Sequence, residues 1–427
     1  MSVTHRLADL AAGFAAALDH EKNHSGQGPI GLAVSGGGDS VAMMHLAARS
    51  LGQARFRVVT VDHGLRAAAA KEAALVAGQA ASLGMPHDIL SWTWDRQGNL
   101  QAAARAGRWA AIRGWCAQHG IAMVMMGHTA DDQLETLLLR LARGSGVDGL
   151  GAMGRADLRD GLRICRPLLD ISRDDLRDWL RVEDIAWCDD PSNEDPRFDR
   201  VRVRQMFGQL QALGLTRKRL LQTVDHMQAA RLSLQKAAQD FARIHVRQEA
   251  GDLIFRPPAL NLAREDAPRR VCAAALSWVG AQAYRPRFDS LLAAARRVSS
   301  GHQVTLGGCI LSPLPDGQGA RLTREAAATR PVTRSSAGAV DETGVIWDRR
   351  WFLDGPLTAG LTFRALGEGL VQCANWRAAG LPRTSLMASP SVWRDDTLIA
   401  APVAGVGNGW SARIVADFHS TAFAIED

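Results

Sequence analysis

At 427 residues the chain is too long for one ordinary hydrophobic core and calls for about two or three domains. Hydrophobic content of 47% with 22% charge is the balance of a soluble globular protein, and no run reaches the roughly 18 apolar residues of a membrane span. The net charge of +6 is carried almost wholly by arginine, since only Lys22, Lys71, Lys218 and Lys236 are lysines among 50 basic residues, and such a chain suits a polyanionic partner.

The first predicted element is an N-terminal helix on which Leu7, Leu10, Ala11, Phe14 and Leu18 recur at helical spacing. Asp9 and Asp19 interrupt it, which argues against a signal peptide and for a cytoplasmic protein. From there to about residue 200, strands and helices alternate. Strands are expected over Ile30–Val34, Arg57–Asp62, His87–Trp92, Ile121–Met126 and Leu162–Cys165. Helices are expected at about 40–50, 67–83, 99–119 and 130–142. This alternation predicts an α/β domain with a doubly wound parallel sheet, whose sites lie at the carboxyl ends of the strands.

Three motifs fall at such ends. The first, Ser35-Gly36-Gly37-Gly38-Asp39-Ser40, follows a buried strand and opens a helix. Its glycines let the backbone turn tightly and aim several N–H groups at one point, while the serines add hydroxyls and the helix start adds partial positive charge. Such a place binds phosphate. It is not the common phosphate loop, because no Gly-Lys dipeptide occurs in the chain and the corresponding region carries Asp39. A carboxylate beside phosphates makes sense when it holds a bridging Mg²⁺. The pattern resembles the loop of enzymes that split ATP between its α and β phosphates.

The second motif is Asp62-His63-Gly64-Leu65-Arg66, and the third runs from Gly127-His128-Thr129-Ala130 into Asp131-Asp132-Gln133-Leu134-Glu135-Thr136. In the third, Asp131, Asp132 and Glu135 share a face near a helix start, opposite Leu134, Leu137, Leu138 and Leu141. Acidic residues in a first turn can serve only as dipole partners. Near a phosphate loop they can instead hold Mg²⁺ or grip an ammonium group, and His128 can shuttle a proton. Gly144-Ser145-Gly146-Val147-Asp148-Gly149 spells G-x-G-x-x-G, but a helix precedes it rather than a strand; a helix terminator followed by a mobile loop at the pocket mouth fits better.

A further stretch runs Asp189-Asp190-Pro191-Ser192-Asn193-Glu194-Asp195, then Arg197 and Arg200-Val201-Arg202-Val203-Arg204. Arg200, Arg202 and Arg204 share a face if the segment is extended and spread apart if it is helical; either way they can meet phosphate. From about Leu210 to Arg297 the pattern turns to helices with basic edges, Arg217-Lys218-Arg219 among them. Residues 323–344 read as a linker, and the tail has short β-like pieces at Trp351-Phe352, Leu361–Phe363 and Thr397–Ala400. The six cysteines are scattered, without a Cys-x-x-Cys pair, which disfavours zinc, iron–sulfur and disulfide frameworks.

Ser35–Ser40, Val61–Arg66, Gly127–Thr136 with Arg140–Gly146, and Asp190–Arg204, in this order over about the first 205 residues, resemble the tRNA(Ile)-lysidine synthetases of the PP-loop ATP pyrophosphatase superfamily. One departure is that the family often has Arg-Asn-x-Ile/Leu-Arg where this chain reads Arg200-Val201-Arg202-Val203-Arg204. The resemblance implies a PP-loop ATP-binding catalytic domain over 1–209 and a helical tRNA-binding domain over 210–322. After the linker at 323–344 it implies a small α+β tRNA-binding domain over 345–427. It implies ATP and Mg²⁺ as cofactors, L-lysine and a tRNA(Ile) with a CAU anticodon as partners, and no membrane or protein partner, a homodimer being left open. The implied reaction adenylates the wobble cytidine (position 34) and then joins lysine to its C2, releasing AMP and pyrophosphate.

On that reading Ser35, Gly36, Gly37, Gly38, Asp39 and Ser40 hold ATP, with Asp39 as Mg²⁺ ligand, and His63 and Arg66 line the same pocket. Asp131, Asp132 and Glu135 take the lysine ammonium, His128 is a further catalytic candidate, and Arg200, Arg202 and Arg204 meet phosphate. Two other readings stand beside it. One is an enzyme of the same loop type that thiolates a tRNA base, disfavoured by the missing Cys-x-x-Cys pair. The other is a non-catalytic RNA-binding protein with a degenerate loop, disfavoured by the intact Asp39 and the carboxylate cluster.

Overall fold

The computed structural model of the chain describes residues 12–17, 28–50, 55–62, 69–94, 100–189, 195, 197, 199–281, 286–333 and 344–423, with the side chains of 101 and 102 excepted. The chain forms two compact units, Met1–Arg231 and Leu232–Ile425.

The first unit is built on a six-stranded sheet in the order β3-β2-β1-β4-β6-β5. Its strands are β1 (Ile30–Ala33), β2 (Phe56–Asp62), β3 (His87–Ser91), β4 (Met123–Met126), β5 (Ala156–Arg159) and β6 (Leu162–Cys165). All neighbours run parallel except β5, which returns antiparallel along β6. Ile30 and Leu32 of β1 are fully enclosed, as a central strand covered on both faces requires. The helices between the strands are α1 (Gly38–Ser50), α2 (Ala69–Ser82), α3 (Leu100–Gln118) and α4 (Ala130–Ala142), followed by α5 (Arg173–Val182) and α6 (Asp199–Ala212). Phe14 of the N-terminal helix is buried in the main core; Leu7, Leu10, Ala11 and Leu18 lie outside the described residues.

The sheet order determines where a site forms. β1 pairs with β2 on one side and with β4 on the other, so the chain direction across the sheet reverses between β1 and β4. In register Ala33 stands opposite Met126, which brings the two strand ends level. The loops leaving β1 and β4 therefore emerge side by side, the place where open α/β sheets bind ligands.

The sequence expectations match these elements to within about two residues at most ends, and α4 at both. β5 and α5 are among the elements not foreseen. β5 is a short, half-exposed edge strand with little pattern, and α5 begins at a Ser172 cap that accepts the Asp175 N–H.

The second unit carries strands where only helices were expected. Beside α8 (Asp266–Gly280) and α9 (Phe288–Ser299), α7 (Arg217–His245) leads into β7 (Val246–Glu249) and β8 (Asp252–Phe255). These join β9 (Val304–Leu306), β10 (Cys309–Pro313) and β11 (Ala320–Arg324) in an antiparallel sheet ordered β7-β8-β11-β10-β9. β8 is short and wholly buried, so it offers no alternation for a periodicity argument to find. Of the stretch 323–344, Thr323 and Arg324 end β11, Val332–Thr333 pairs with the strand Leu361–Ala365, and 334–343 lies outside the described residues. The tail folds as two small antiparallel sheets, of three and four strands. No described helix is long and apolar enough to cross a membrane.

Candidate active site

The loop after β1 is a backbone cradle tied by its own serines. Gly36 has φ +90°, a conformation only glycine adopts without strain, and its carbonyl accepts the Cys188 N–H at 2.9 Å. Ser40 Oγ donates to the Gly37 carbonyl at 2.9 Å and accepts the Ser35 N–H at 3.1 Å, so the first turn of α1 is locked to the strand end. Asp39 stands in that first turn, with its carboxylate at the positive helix end.

The loop after β4 packs directly on this cradle. Thr129 caps α4: Asp132 Oδ2 accepts both the Thr129 N–H and its hydroxyl, each at 2.9 Å. This bond pattern fixes the Asp132 carboxylate at the helix start. Asp131, Asp132 and Glu135 are all buried, an arrangement that needs counter-charges.

Four arginines supply them. Glu135 Oε1 accepts from Arg204 at 3.0 Å (Nε) and 2.7 Å (Nη2). Asp131 is paired with Arg217 and also accepts the Arg173 backbone N–H at 2.8 Å. Arg200 approaches Asp132 to 3.8 Å. Arg173, at the start of α5, lies at the centre: its guanidinium is 2.9 Å from Asp39, 3.5 Å from Asp132 and 3.7 Å from Glu135. Glu135 is 3% exposed, yet its Oε2 has no hydrogen-bond partner among the described residues.

Burial and the nearby Asp132 push the Asp39 carboxyl above its usual range, against the pull of Arg173. Asp131 is held below its usual range: its bonds to the Arg173 backbone and to Arg217 outweigh the cost of its own burial. His128 is pushed down to about 4, first by burial and then by Arg166, Arg200 and Arg105, with Asp132 opposing. Its imidazole is therefore neutral at pH 7, and its buried Nδ1 lacks a partner among the described residues.

The sequence-derived residues thus divide. Ser35–Ser40, Asp131, Asp132, Glu135 and His128 come together at the ends of β1 and β4, whereas His63 and Arg66 lie outside the described residues, as does most of 190–198. Arg200, Arg202 and Arg204 sit on helix α6, so they spread: Arg200 and Arg204 turn toward α4, while Arg202 pairs with Asp199 at the surface. The glycine loop after α4 is pinned, since Arg140 donates to the carbonyls of Gly149 (2.8 Å) and Ala152 (2.9 Å). Arg173 was missed, and Gly127 and Arg217, though named in their motifs, were given no role in the site. The one local signal for Arg173 is a cation at the first position of a helix, where the dipole disfavours it.

Residues 10–210 match the family model of the PP-loop domain. The chain is 43% identical over 403 residues to a tRNA(Ile)-lysidine synthase of Ruegeria pomeroyi, covering 92% of this chain and 93% of that one. It is 48% identical over 198 residues to a tRNA(Ile)-lysidine synthase of Rhodopseudomonas palustris, covering 45% of this chain and 57% of that one. Among solved structures, the U34-tRNA thiolase NcsA from Methanococcus maripaludis aligns with a TM-score of 0.44 at 14% identity, covering 53% of this chain and 80% of that one. A phosphate cradle facing buried carboxylates, within a likeness that runs along nearly the whole chain, places this protein in the tRNA(Ile)-lysidine synthase family.

Proposed function

We propose that the protein joins L-lysine to C2 of the wobble cytidine of a CAU-anticodon tRNA(Ile) in the cytoplasm, using ATP and releasing AMP and pyrophosphate. The observation that carries this reading is the meeting of the Ser35–Ser40 cradle with Asp132 and Glu135 at two adjacent strand ends. One loop suits a nucleotide and the other suits an ammonium group, and the reaction needs both within reach of one base.

In the first step the cytosine C2 oxygen attacks the α-phosphorus of ATP, and the bond to pyrophosphate breaks. The backbone N–H groups at the start of α1 stabilise the charge that develops on the phosphates. In the second step the lysine ε-amine attacks C2, the C2–O bond breaks and AMP leaves. Only the unprotonated amine is a nucleophile, so the ammonium must surrender a proton in the pocket. Glu135, with one carboxylate oxygen unpartnered, is assigned to hold that ammonium and accept the proton. His128, neutral at pH 7, is assigned to orient the base rather than to carry charge.

Mg²⁺ fits this donor set. Asp39 offers hard carboxylate oxygens in the first turn of the phosphate cradle, and no cage of three or more His, Cys, Asp or Glu side chains exists among the described residues. Mg²⁺ commonly uses one or two carboxylates and completes its shell with phosphate oxygens and water. Asp39 would hold it, and when bound it neutralises charge on the leaving pyrophosphate. Arg200 and Arg204 are assigned to phosphate of ATP or tRNA, and the basic helices after residue 210 with the tail from 345 to the tRNA body.

The test is incubation with Mg-ATP, labelled L-lysine and CAU-anticodon tRNA, followed by nucleoside analysis of position 34. Label in lysidine, with AMP formation requiring both tRNA and lysine, is the expected result. AMP formation that ignores lysine, or that needs a sulfur donor, overturns it.

A further inference from the structure

The site that the proposed reaction requires for the lysine ammonium is already filled by a cation of the protein. The Arg173 guanidinium lies among Asp39, Asp132 and Glu135, and its side chain is 17% exposed. Arg204 and Arg200 already hold Glu135 and Asp132 from α6, so an ammonium joining these carboxylates while Arg173 stays would add one more like charge to a half-dry pocket. One must leave.

Arg173 is built to be the one that moves. Its backbone is anchored, with the N–H bonded to Asp131 at 2.8 Å and Ser172 capping the helix, so only the side chain is free to change. Its hold is uneven: 2.9 Å on Asp39, but 3.5 Å and 3.7 Å on Asp132 and Glu135, beyond a good hydrogen bond. Asp39 belongs to the phosphate cradle, so nucleotide phosphates arrive on the side where Arg173 already leans. A guanidinium forks onto phosphate well, and phosphate outbids two long carboxylate contacts. Glu135 Oε2, buried and without a partner, marks the acceptor left over once Arg173 and Arg204 are counted.

We infer that Arg173 closes the lysine seat in the nucleotide-free enzyme and that bound ATP draws it away, so that lysine binds after nucleotide. Arg173 is on this account a positioning residue that couples the two ligands, and the coupling is reciprocal. The inference rests on the proposed assignment of Asp132 and Glu135 to lysine.

Calorimetric titration of L-lysine into the full-length protein tests it, alone and saturated with an ATP analogue carrying a methylene bridge between the α and β phosphates plus Mg²⁺. The expected result is lysine affinity at least tenfold tighter with the analogue. In Arg173→Gln, nucleotide-free protein should bind lysine as tightly as the wild-type complex does, leaving a gain below threefold. Arg173→Lys should restore the gain. A lysine Kd in the wild type that is the same with and without analogue overturns the inference, as does a tenfold gain retained in Arg173→Gln. Should Arg173→Gln fail to fold by circular dichroism, the wild-type pair of titrations decides alone. AMP formation that depends on lysine while the Kd ignores nucleotide rejects the gate and keeps the function; AMP formation without lysine dependence rejects the function itself.

Discussion

A Cβ placed on Gly127 would stand 2.9 Å from Ser40 Cα and 3.1 Å from the Ser40 nitrogen, so the loop after β4 rests directly on the first turn of the phosphate cradle. The contact is backbone against backbone, and no flexible side chain can yield. Gly127→Ala should therefore push the two loops apart. Overpacking of this kind costs about 1–3 kcal/mol, and a displacement near 1 Å at reacting groups can cost about 100-fold in rate. A thermal melt together with AMP formation checks both; an alanine variant with wild-type turnover would show that the close approach is dispensable.

Asp39→Asn should separate function from stability. The folded-state pKa of Asp39 is raised by burial, so the folded protein binds more protons than the unfolded chain at pH just above the ordinary carboxylate range. Stability from this group is thus present below that range and lost as pH rises through the folded pKa. Above its folded pKa the ionised Asp39 is a cost, so the melting temperature of the asparagine variant should gain on that of wild type as pH rises. Pyrophosphate release should fall by about 100-fold or more. Full turnover would remove Asp39 from the nucleotide site.

Glu135→Gln keeps the shape and removes the charge. The KM for lysine should rise at least tenfold, about 1.4 kcal/mol, while ATP binding is unchanged. Steady-state titration of lysine at saturating ATP measures it, and an unaltered lysine response would take Glu135 out of the pocket.

His128 predicts an acid limb. Its folded pKa is about 4, against 6.5 for the free side chain, so between these values the unfolded chain takes up a proton that the folded state refuses. Stability attributable to His128 is therefore complete above about pH 6.5 and drains as pH falls toward 4, at up to about 1.4 kcal/mol per pH unit. His128→Asn should flatten this part of the melting temperature against pH, and a curve parallel to wild type would contradict it.

Phe418 predicts that the tail cannot be trimmed. It is fully buried in the core of the second unit, with its ring 5.8 Å from Trp278 and 5.5 Å from Phe423, both edge-on. Phe418→Ala should cost that unit about 3–5 kcal/mol. Nucleotide binding, assigned to the first unit, should persist at temperatures where the second has melted; simultaneous loss of both would refute their independence.

What the sequence disclosed, and what it hid, follows from the range of the interactions. The cradle at 35–40 and the start of α4 are local events: a buried strand, a glycine turn, a capping threonine and an acidic first turn are all written within about ten residues. Arg173 is different. It meets Asp39 across 134 positions, and the one local sign, a cation at the first position of a helix, does not name its partner. The arginines at 200, 202 and 204 were ambiguous for another reason, because so short an alternation of arginine with valine suits an extended face and a helix alike. The helix was chosen by tertiary contacts: Val201 is buried, and Arg200 and Arg204, four apart, reach Asp132 and Glu135 on the same side. β7 to β11 escaped because, at three to five residues, they lack the regular alternation with helices that made strands of similar length legible in the first unit.

The residue placed among the carboxylates is an arginine, and this choice has a chemical consequence. The proposed reaction creates an electrophilic carbon that an amine is meant to attack. A lysine at position 173 would put a primary amine of the enzyme beside that carbon, where losing a proton would make it a rival nucleophile and bond the enzyme to its own tRNA. A guanidinium stays protonated at any working pH and has no comparable lone pair to offer. The chain has only Lys22, Lys71, Lys218 and Lys236, and none of them is a residue assigned to the site, so the assigned residues offer the activated base no amine to compete with the lysine brought in from solution.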